Sequence, residues 1–105
     1  MGQYEQAISD YNKAIKISPR DADAYYNRGL AYARKGQYDK ALSDYNKVIE
    51  IDPKDADAYY NRGVTYFYIR VYDNAWRDVN NAQALGYQVP PEFLKALRKA
   101  SGRVK

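Results

Sequence analysis

The side chains that most often carry chemistry in proteins are missing from this 105-residue chain, which contains no Cys and no His. Their absence excludes disulfide frameworks, thiolate or imidazole metal sites, cysteine nucleophiles and a Ser-His-Asp triad. The sequence also has no Gly-rich phosphate loop and no recognisable motif of paired catalytic carboxylates. We therefore predict no enzymatic activity, no catalytic residue and no cofactor.

One acidic segment, DPKDAD at 52–57, has the composition of a cation-binding loop. It lacks the central Gly and the distal bidentate Glu that an EF-hand loop requires. Its carboxylates are better explained as caps at the start of a helix, where the positive end of the helix dipole favours negative charge. No metal site is predicted.

The net charge of +4 lies in residues 89–105, which hold five basic residues and one acidic residue. A nucleic-acid-binding protein should instead show a basic stripe across its folded body. We interpret the tail as a solubilising end and do not expect nucleic acid as a partner. The alternative, nucleic-acid binding through residues 95–105, predicts a steep dependence of affinity on salt.

No apolar run approaches the roughly 18 residues that a membrane span needs. The first residues, MGQYEQ, are polar and contain no apolar signal core. We therefore predict no membrane partner, and a cytoplasmic location is the default.

The sequence repeats itself with an offset of 34 residues. Residues 21–29 and 55–63 both have the sequence DADAYYNRG, and 12 of the 19 residues in 2–20 recur in 36–54. Apolar side chains within each unit recur every three or four residues, which places them on one side of a helix. The pattern predicts an all-α fold with helices at 3–17, 22–35, 38–51, 56–69, 72–85 and 91–100.

Several repeated residues have structural interpretations. Asp21 is a predicted N-cap. Gly29 and Gly63 lie inside helices, where each is less favourable than Ala by roughly 1 kcal/mol, so we expect a neighbouring helix to approach closely there. Arg28 and Arg62 are expected to form ion pairs between neighbouring helices rather than to bind a ligand.

In these features the chain resembles the tetratricopeptide repeat family. The first full unit carries the resemblance at Tyr25, Gly29, Tyr32, Tyr38, Ala41, Tyr45, Val48 and Pro53. The second unit begins in the same way and then departs, because Val79 replaces an aromatic residue and Tyr87 replaces the Pro. Arg70 also replaces the Gly between the helices, so a changed turn is expected there. The resemblance covers about residues 2–88 and implies a right-handed superhelical solenoid of helix-turn-helix units.

The repeat register divides a single predicted domain, 1–105, into four parts. They are a half repeat with only the second helix (1–20), a full repeat (21–54), a degenerate full repeat (55–88), and a capping helix with a basic tail (89–105). Because the first helix has no cap of its own, homo-oligomeric assembly through helix 3–17 is an alternative function. A fragment or designed chain without a natural ligand is a further alternative.

The resemblance also implies a function, because the first helices of such units line a concave groove that binds a peptide or segment of a partner protein. The implied partner-binding residues are Asp23, Tyr26, Asn27, Leu30 and Arg34 in the first full unit, Asp57, Tyr60, Asn61, Val64, Phe67 and Tyr68 in the second, and Lys95 and Arg98 in the capping helix. The plainer interpretation is that these are ordinary solvated residues without a dedicated ligand.

Some members of the family bind the carboxylate end of a peptide through Lys, Arg and Asn side chains. Asn27 and Asn61 match that pattern, and Lys95 and Arg98 could supply part of it. Positions where a clamp needs Lys, Arg or Asn are instead occupied by Asp23, Tyr26, Leu30 and Asp57. A carboxylate clamp is therefore not expected. The two acidic residues instead favour a partner of basic or neutral-apolar character.

Overall fold

A computed structural model describes residues 2–103, and within them every regular element is a helix. The helices are α1 (Gly2–Ile17), α2 (Ala22–Arg34), α3 (Tyr38–Ile51), α4 (Ala56–Tyr68), α5 (Tyr72–Ala84) and α6 (Pro91–Ser101). Each predicted helix end agrees with the structure to within one residue. Apolar spacing, capping and turn residues and the repeat register together were therefore sufficient to locate all six helices.

The described residues form two compact units. The N-terminal unit ends at Pro53 and contains α1, α2 and α3, and the C-terminal unit begins at Lys54 and contains α4, α5 and α6. Within the first unit α2 packs against both α1 and α3, and within the second α5 packs against both α4 and α6. The turns between paired helices are short, as expected for antiparallel neighbours.

Aspartate caps begin the first helix of each full repeat. The Asp21 carboxylate accepts a hydrogen bond from the Ala24 amide at 3.1 Å, and Asp55 does the same for Ala58 at 3.1 Å. The predicted N-cap at Asp21 is confirmed. Each such cap contributes about 1 kcal/mol by satisfying an amide that the helix leaves unpaired.

The turns that follow α2 and α4 have the same geometry, so the expectation of a changed turn at Arg70 is wrong. Gly36 has φ 78° and Arg70 has φ 66°, both in the left-handed region. In each turn the next amide donates to the carbonyl of a Tyr five residues earlier, at 2.9 Å. Because these bonds close the helix end, they hold Arg70 in a conformation that glycine adopts more readily.

The two helical glycines lie where a neighbouring helix crosses closely, which confirms that prediction. A Cβ atom on Gly29 would lie 2.8 Å from the Tyr45 ring, and one on Gly63 would lie 3.1 Å from the Asp78 Cβ. Both distances are too short for a relaxed contact. The close approach of the helices therefore disfavours any larger residue at these positions, most strongly at Gly29.

In each unit a bidentate Arg–Asp ion pair joins the two helices that cross at the glycine. Arg28 donates from Nε and Nη2 to the Asp44 carboxylate at 2.9 and 2.6 Å, and Arg62 donates to Asp78 at 2.8 and 2.7 Å. Both carboxylates are buried. The predicted interhelical role of the arginines is confirmed, and Arg28 also donates to Asn12 of α1 at 2.8 Å.

The apolar core lies along the second helix of each pair. In α3 it consists of Ala41, Tyr45 and Val48, none of which exposes more than 1% of its surface. In the C-terminal unit Trp76 and Leu97 belong to one cluster with Ala75, Val79 and Val89. The Trp76 indole also donates to the Ser101 hydroxyl at 2.9 Å, which ties α5 to the end of α6.

Candidate partner-binding surfaces

A cleft between α1 and α2 brings together three of the predicted site residues. Its volume is about 360 Å³. Asn27, Leu30 and Arg34 lie on its α2 side, together with Ala31. Their three- and four-residue spacing places them on one helix face. The opposite wall belongs to α1 and consists of Gln3, Tyr4, Ala7 and Tyr11.

The α1 wall of this cleft was not among the predicted site residues. The sequence pattern assigned Tyr4, Ala7 and Tyr11 to an apolar stripe, which indicates burial rather than binding. In the structure all three are only half-buried and line accessible space. The repeat register gave no signal for this wall, because the equivalent residues in α3, Ala41 and Tyr45, are buried.

The two remaining predicted residues of α2 do not line the cleft. Asp23 is exposed in the first turn of the helix. Tyr26 is half-buried, and its ring lies 6.2 Å from that of Tyr45, tilted by 52°. Part of the Tyr26 ring surface is therefore used in packing within the unit.

The C-terminal unit gathers its predicted aromatic residues into a cluster. Tyr60 stacks on Tyr87 with ring centroids 4.5 Å apart, and both Tyr60 and Phe67 meet the edge or face of Phe93, at 5.7 and 5.3 Å. We call Tyr60, Phe67, Tyr87 and Phe93 the aromatic cluster. Because α6 and the preceding loop contribute half of it, Tyr60 and Phe67 are committed largely to internal contacts.

A tight turn explains how Tyr87 reaches the cluster. Gly86 has φ 97°, and the Tyr87 amide donates to the Ala82 carbonyl at 2.9 Å. This turn ends α5 without a proline and reverses the chain toward Tyr60. Burial, reinforced by the neighbouring Tyr87, raises the pKa of Tyr60 above the ordinary tyrosine value. Its hydroxyl therefore stays protonated at neutral pH.

The other predicted residues of this unit differ in exposure. Asp57, Lys95 and Arg98 are exposed, while Val64 is half-buried. Asn61 donates its side-chain amide to the Asp57 carbonyl at 2.9 Å, one helical turn earlier. The most accessible aromatic group is that of Tyr68, which is 59% exposed.

A second cleft of about 460 Å³ lies between α2 and α3 and was not predicted. It contains the Arg28–Asp44 pair, with Tyr25, Asp39 and Lys47 nearby. The half-buried Arg28 guanidinium neutralises the buried Asp44 carboxylate. Hydrogen bonding to Asp44 raises the pKa of Arg28, so the guanidinium stays charged and paired. This cleft is therefore explained by helix packing.

Among residues 2–103 there is neither a cluster of metal-ligating side chains nor a helix suited to span a membrane. No group of three or more Asp or Glu side chains is arranged to hold a metal ion there. Asp55 of the acidic segment uses its carboxylate to cap α4. In the same part of the chain, no helix has both the length and the apolar character needed to cross a membrane.

The six helices and the repeated Arg–Asp and Gly contacts define the class of the protein, an all-α helical-repeat fold of the solenoid type. Three family models match the sequence, "TPR repeat" at residues 1–36 and "Tetratricopeptide repeat" at residues 22–55 and 44–86. The chain belongs to the tetratricopeptide repeat family.

Solved structures agree with this assignment. The first TPR of Spaghetti (RPAP3), bound to HSP90 peptide SRMEEVD, is similar with a TM-score of 0.85 and 29% identity, over 96% of this chain and 79% of that one. YrrB, a TPR protein with an unusual peptide-binding site, is similar with a TM-score of 0.76 and 31% identity, over 95% of this chain and 50% of that one.

A curated relative matches only one stretch. Over 35 residues the chain is 46% identical to the rhomboid protease GluP from Bacillus subtilis (strain 168). The match spans 33% of this chain and 7% of that protein. It therefore concerns about one repeat.

Proposed function

We propose that this chain is a protein-interaction module that binds a segment of a partner protein and has no catalytic activity of its own. The observation that carries the proposal is the α1–α2 cleft, because three residues selected from the repeat register line the same accessible space. The similarity to peptide-binding repeat structures supports it. The cytoplasmic location stays a prediction.

The cleft combines the groups that recognise a peptide. Leu30 offers apolar surface, Asn27 offers an amide that can donate to and accept from a peptide backbone, and exposed Arg34 offers a cation. The C-terminal unit, taken by itself, offers exposed Tyr68, an apolar ring with a hydroxyl. Exposed Asp23 on the first unit and exposed Asp57 on the second each disfavour acidic segments, so we propose a basic or neutral-apolar partner.

The test is a selection from a phage-displayed peptide library, followed by affinity measurements in solution. Selected peptides should be less acidic than the SRMEEVD peptide, which serves as the reference ligand. Leu30→Glu and Asn27→Ala should each weaken binding by about tenfold, because each removes a central contact. Leu85→Ala is a matched control, since Leu85 is exposed and lies outside the cleft. Equal binding by all three variants would contradict the proposed site.

Homo-oligomeric assembly through α1 remains the second candidate function. It is favoured by the accessible tyrosine and alanine side chains on the α1 wall of the cleft. Sedimentation equilibrium over a range of concentrations decides between the two. A monomer at high micromolar concentration would rule out assembly as the function.

A further inference from the structure

The turn between α4 and α5 has the same backbone as its repeat equivalent but a different sequence. Residues 34–37, where α2 leads into α3, have the sequence RKGQ, and residues 68–71 have the sequence YIRV. In both turns the third residue has a positive φ, and the fourth donates its amide to the carbonyl of a Tyr five residues earlier at 2.9 Å. Because RKGQ makes the same turn, folding does not require Tyr, Ile, Arg and Val at the second one.

The second turn presents apolar side chains where the first presents polar ones. We call Tyr68, Ile69, Arg70 and Val71 the turn patch. Tyr68 is 59% exposed and Val71 is 38% exposed, while Ile69 is half-buried. Three of the four residues at 34–37 are exposed as well, although the chain continues beyond them. Exposure is therefore a property of the turn and does not arise from an end of the chain.

Arg70 places a cation in the middle of this apolar surface. Its backbone is held at φ 66°, a conformation that is unfavourable for a residue with a Cβ. Among residues 2–103 its guanidinium makes no ion pair and no hydrogen bond. The next acidic residue along the chain, Asp73, is paired with Arg103. Strained residues of this kind occur most often at functional sites.

We propose that the turn patch binds a segment of a partner protein in which an Asp or Glu stands next to a large apolar residue. The Arg70 guanidinium donates to the carboxylate, for which its planar fork is suited. Tyr68 and Val71 cover the apolar neighbour and exclude water from the ion pair. Tyr and Arg are also the residue types that contribute most at protein–protein contacts. The proposal goes beyond the proposed function, because this surface selects an acidic segment and belongs to the C-terminal unit.

The acidic residue of the same helix does not oppose this binding. Asp57 lies in the first turn of α4 and Tyr68 is its last residue. Their separation along the helix is about 17 Å at a rise of about 1.5 Å per residue. This is roughly twice the distance of about 8 Å over which physiological salt screens exposed charges. An acidic segment at the turn patch is therefore attracted by Arg70 and little affected by Asp57.

A subtractive selection from a phage-displayed peptide library tests the turn patch. The full chain is the target, and peptides that also bind a variant carrying both Tyr68→Ser and Arg70→Gln are removed. Both residues are exposed, so the variant should keep the core of its unit. The remaining peptides should contain Asp or Glu beside a large apolar residue. Their affinities for the full chain are then measured by fluorescence anisotropy.

Single variants separate the charge of Arg70 from the stability of the fold. Arg70→Gln should weaken these peptides by about fivefold, the upper range for an exposed ion pair. Lys99→Gln removes an exposed charge outside the patch and should leave the affinity unchanged, so it is the matched control. Arg70→Gly should weaken binding as much as Arg70→Gln does while raising the urea midpoint, because it relieves the strained backbone. Loss of binding in a more stable protein cannot result from unfolding.

The contrary outcomes are distinct from one another. If no peptide distinguishes the full chain from the double variant, the turn patch is not a binding surface. If the distinguishing peptides are basic, the assignment of an acidic segment is wrong. Peptides that respond to Leu30→Glu and not to Arg70→Gln would support the proposed function at the α1–α2 cleft and contradict the turn patch. Binding to phosphatidylserine vesicles that depends on Tyr68, without any acidic peptide, would assign the patch to a membrane surface and also overturn the proposal.

Discussion

Replacing Arg70 by Gly should stabilise the protein, although Arg70 lies in a turn that is fully hydrogen-bonded. At φ 66° the Arg70 backbone lies in the left-handed region, which is less favourable by about 1–2 kcal/mol for a residue with a Cβ. Glycine removes that strain, but it also increases the entropy of the unfolded chain by an equivalent of about 0.5–1 kcal/mol. The expected net gain is about 0.5–1 kcal/mol.

Urea unfolding followed by circular dichroism measures this gain as a higher midpoint at an unchanged slope. The reciprocal variant, Gly36→Arg, introduces the same strain into the equivalent turn and should lower the midpoint by a similar amount. No atom lies within 4 Å of the Cβ position at Gly36, so steric clash at that atom does not confuse the comparison. If Arg70→Gly left stability unchanged or lowered it while Gly36→Arg was tolerated, backbone strain would not be the controlling term.

Three further perturbations test the packing. Gly29→Ala should lower the free energy of unfolding by about 1–3 kcal/mol because its methyl group meets the buried Tyr45 ring; Gly2→Ala, with open space around it, is the control for urea titration. Arg62→Met should lower it by about 3 kcal/mol by leaving Asp78 buried and unpaired, and adding Asp78→Leu should restore much of the loss. Burial raises the pKa of Tyr45 above the usual value near 10. Because the folded state disfavours the ionised phenol, the contribution of Tyr45 to stability is complete below pH 10 and is lost as pH rises above 10. The urea midpoint of Tyr45→Phe should therefore fall less between pH 9 and 11 than that of the unmodified protein. An identical fall in both proteins would disprove this assignment.

The helices could be predicted from sequence because their signals are local. Apolar spacing and the capping residue Asp21 depend only on residues a few positions apart. The ion pairs could also be predicted, because Arg28 and its repeat equivalent recur next to a glycine. The turn at Arg70 could not, because its backbone hydrogen bonds override the local preference of the side chain.

The candidate surfaces were only partly predictable, because they depend on which residues other parts of the chain cover. The repeat register placed Leu30 on an accessible face, and the structure adds the α1 wall opposite it. The same register selected Tyr60, but the turn at Gly86 brings a tyrosine onto that ring. Periodicity identifies a helix face and does not show how a loop returns to it.

Trp76, which donates a hydrogen bond to Ser101, is an intrinsic fluorescent probe of the C-terminal unit. The chain has a single Trp, and it lies in the buried cluster between α5 and α6. Its fluorescence spectrum therefore follows the C-terminal unit alone, whereas far-ultraviolet dichroism follows all six helices. Overlaying the two denaturation curves, without any label or mutation, separates melting of one unit from cooperative melting of both.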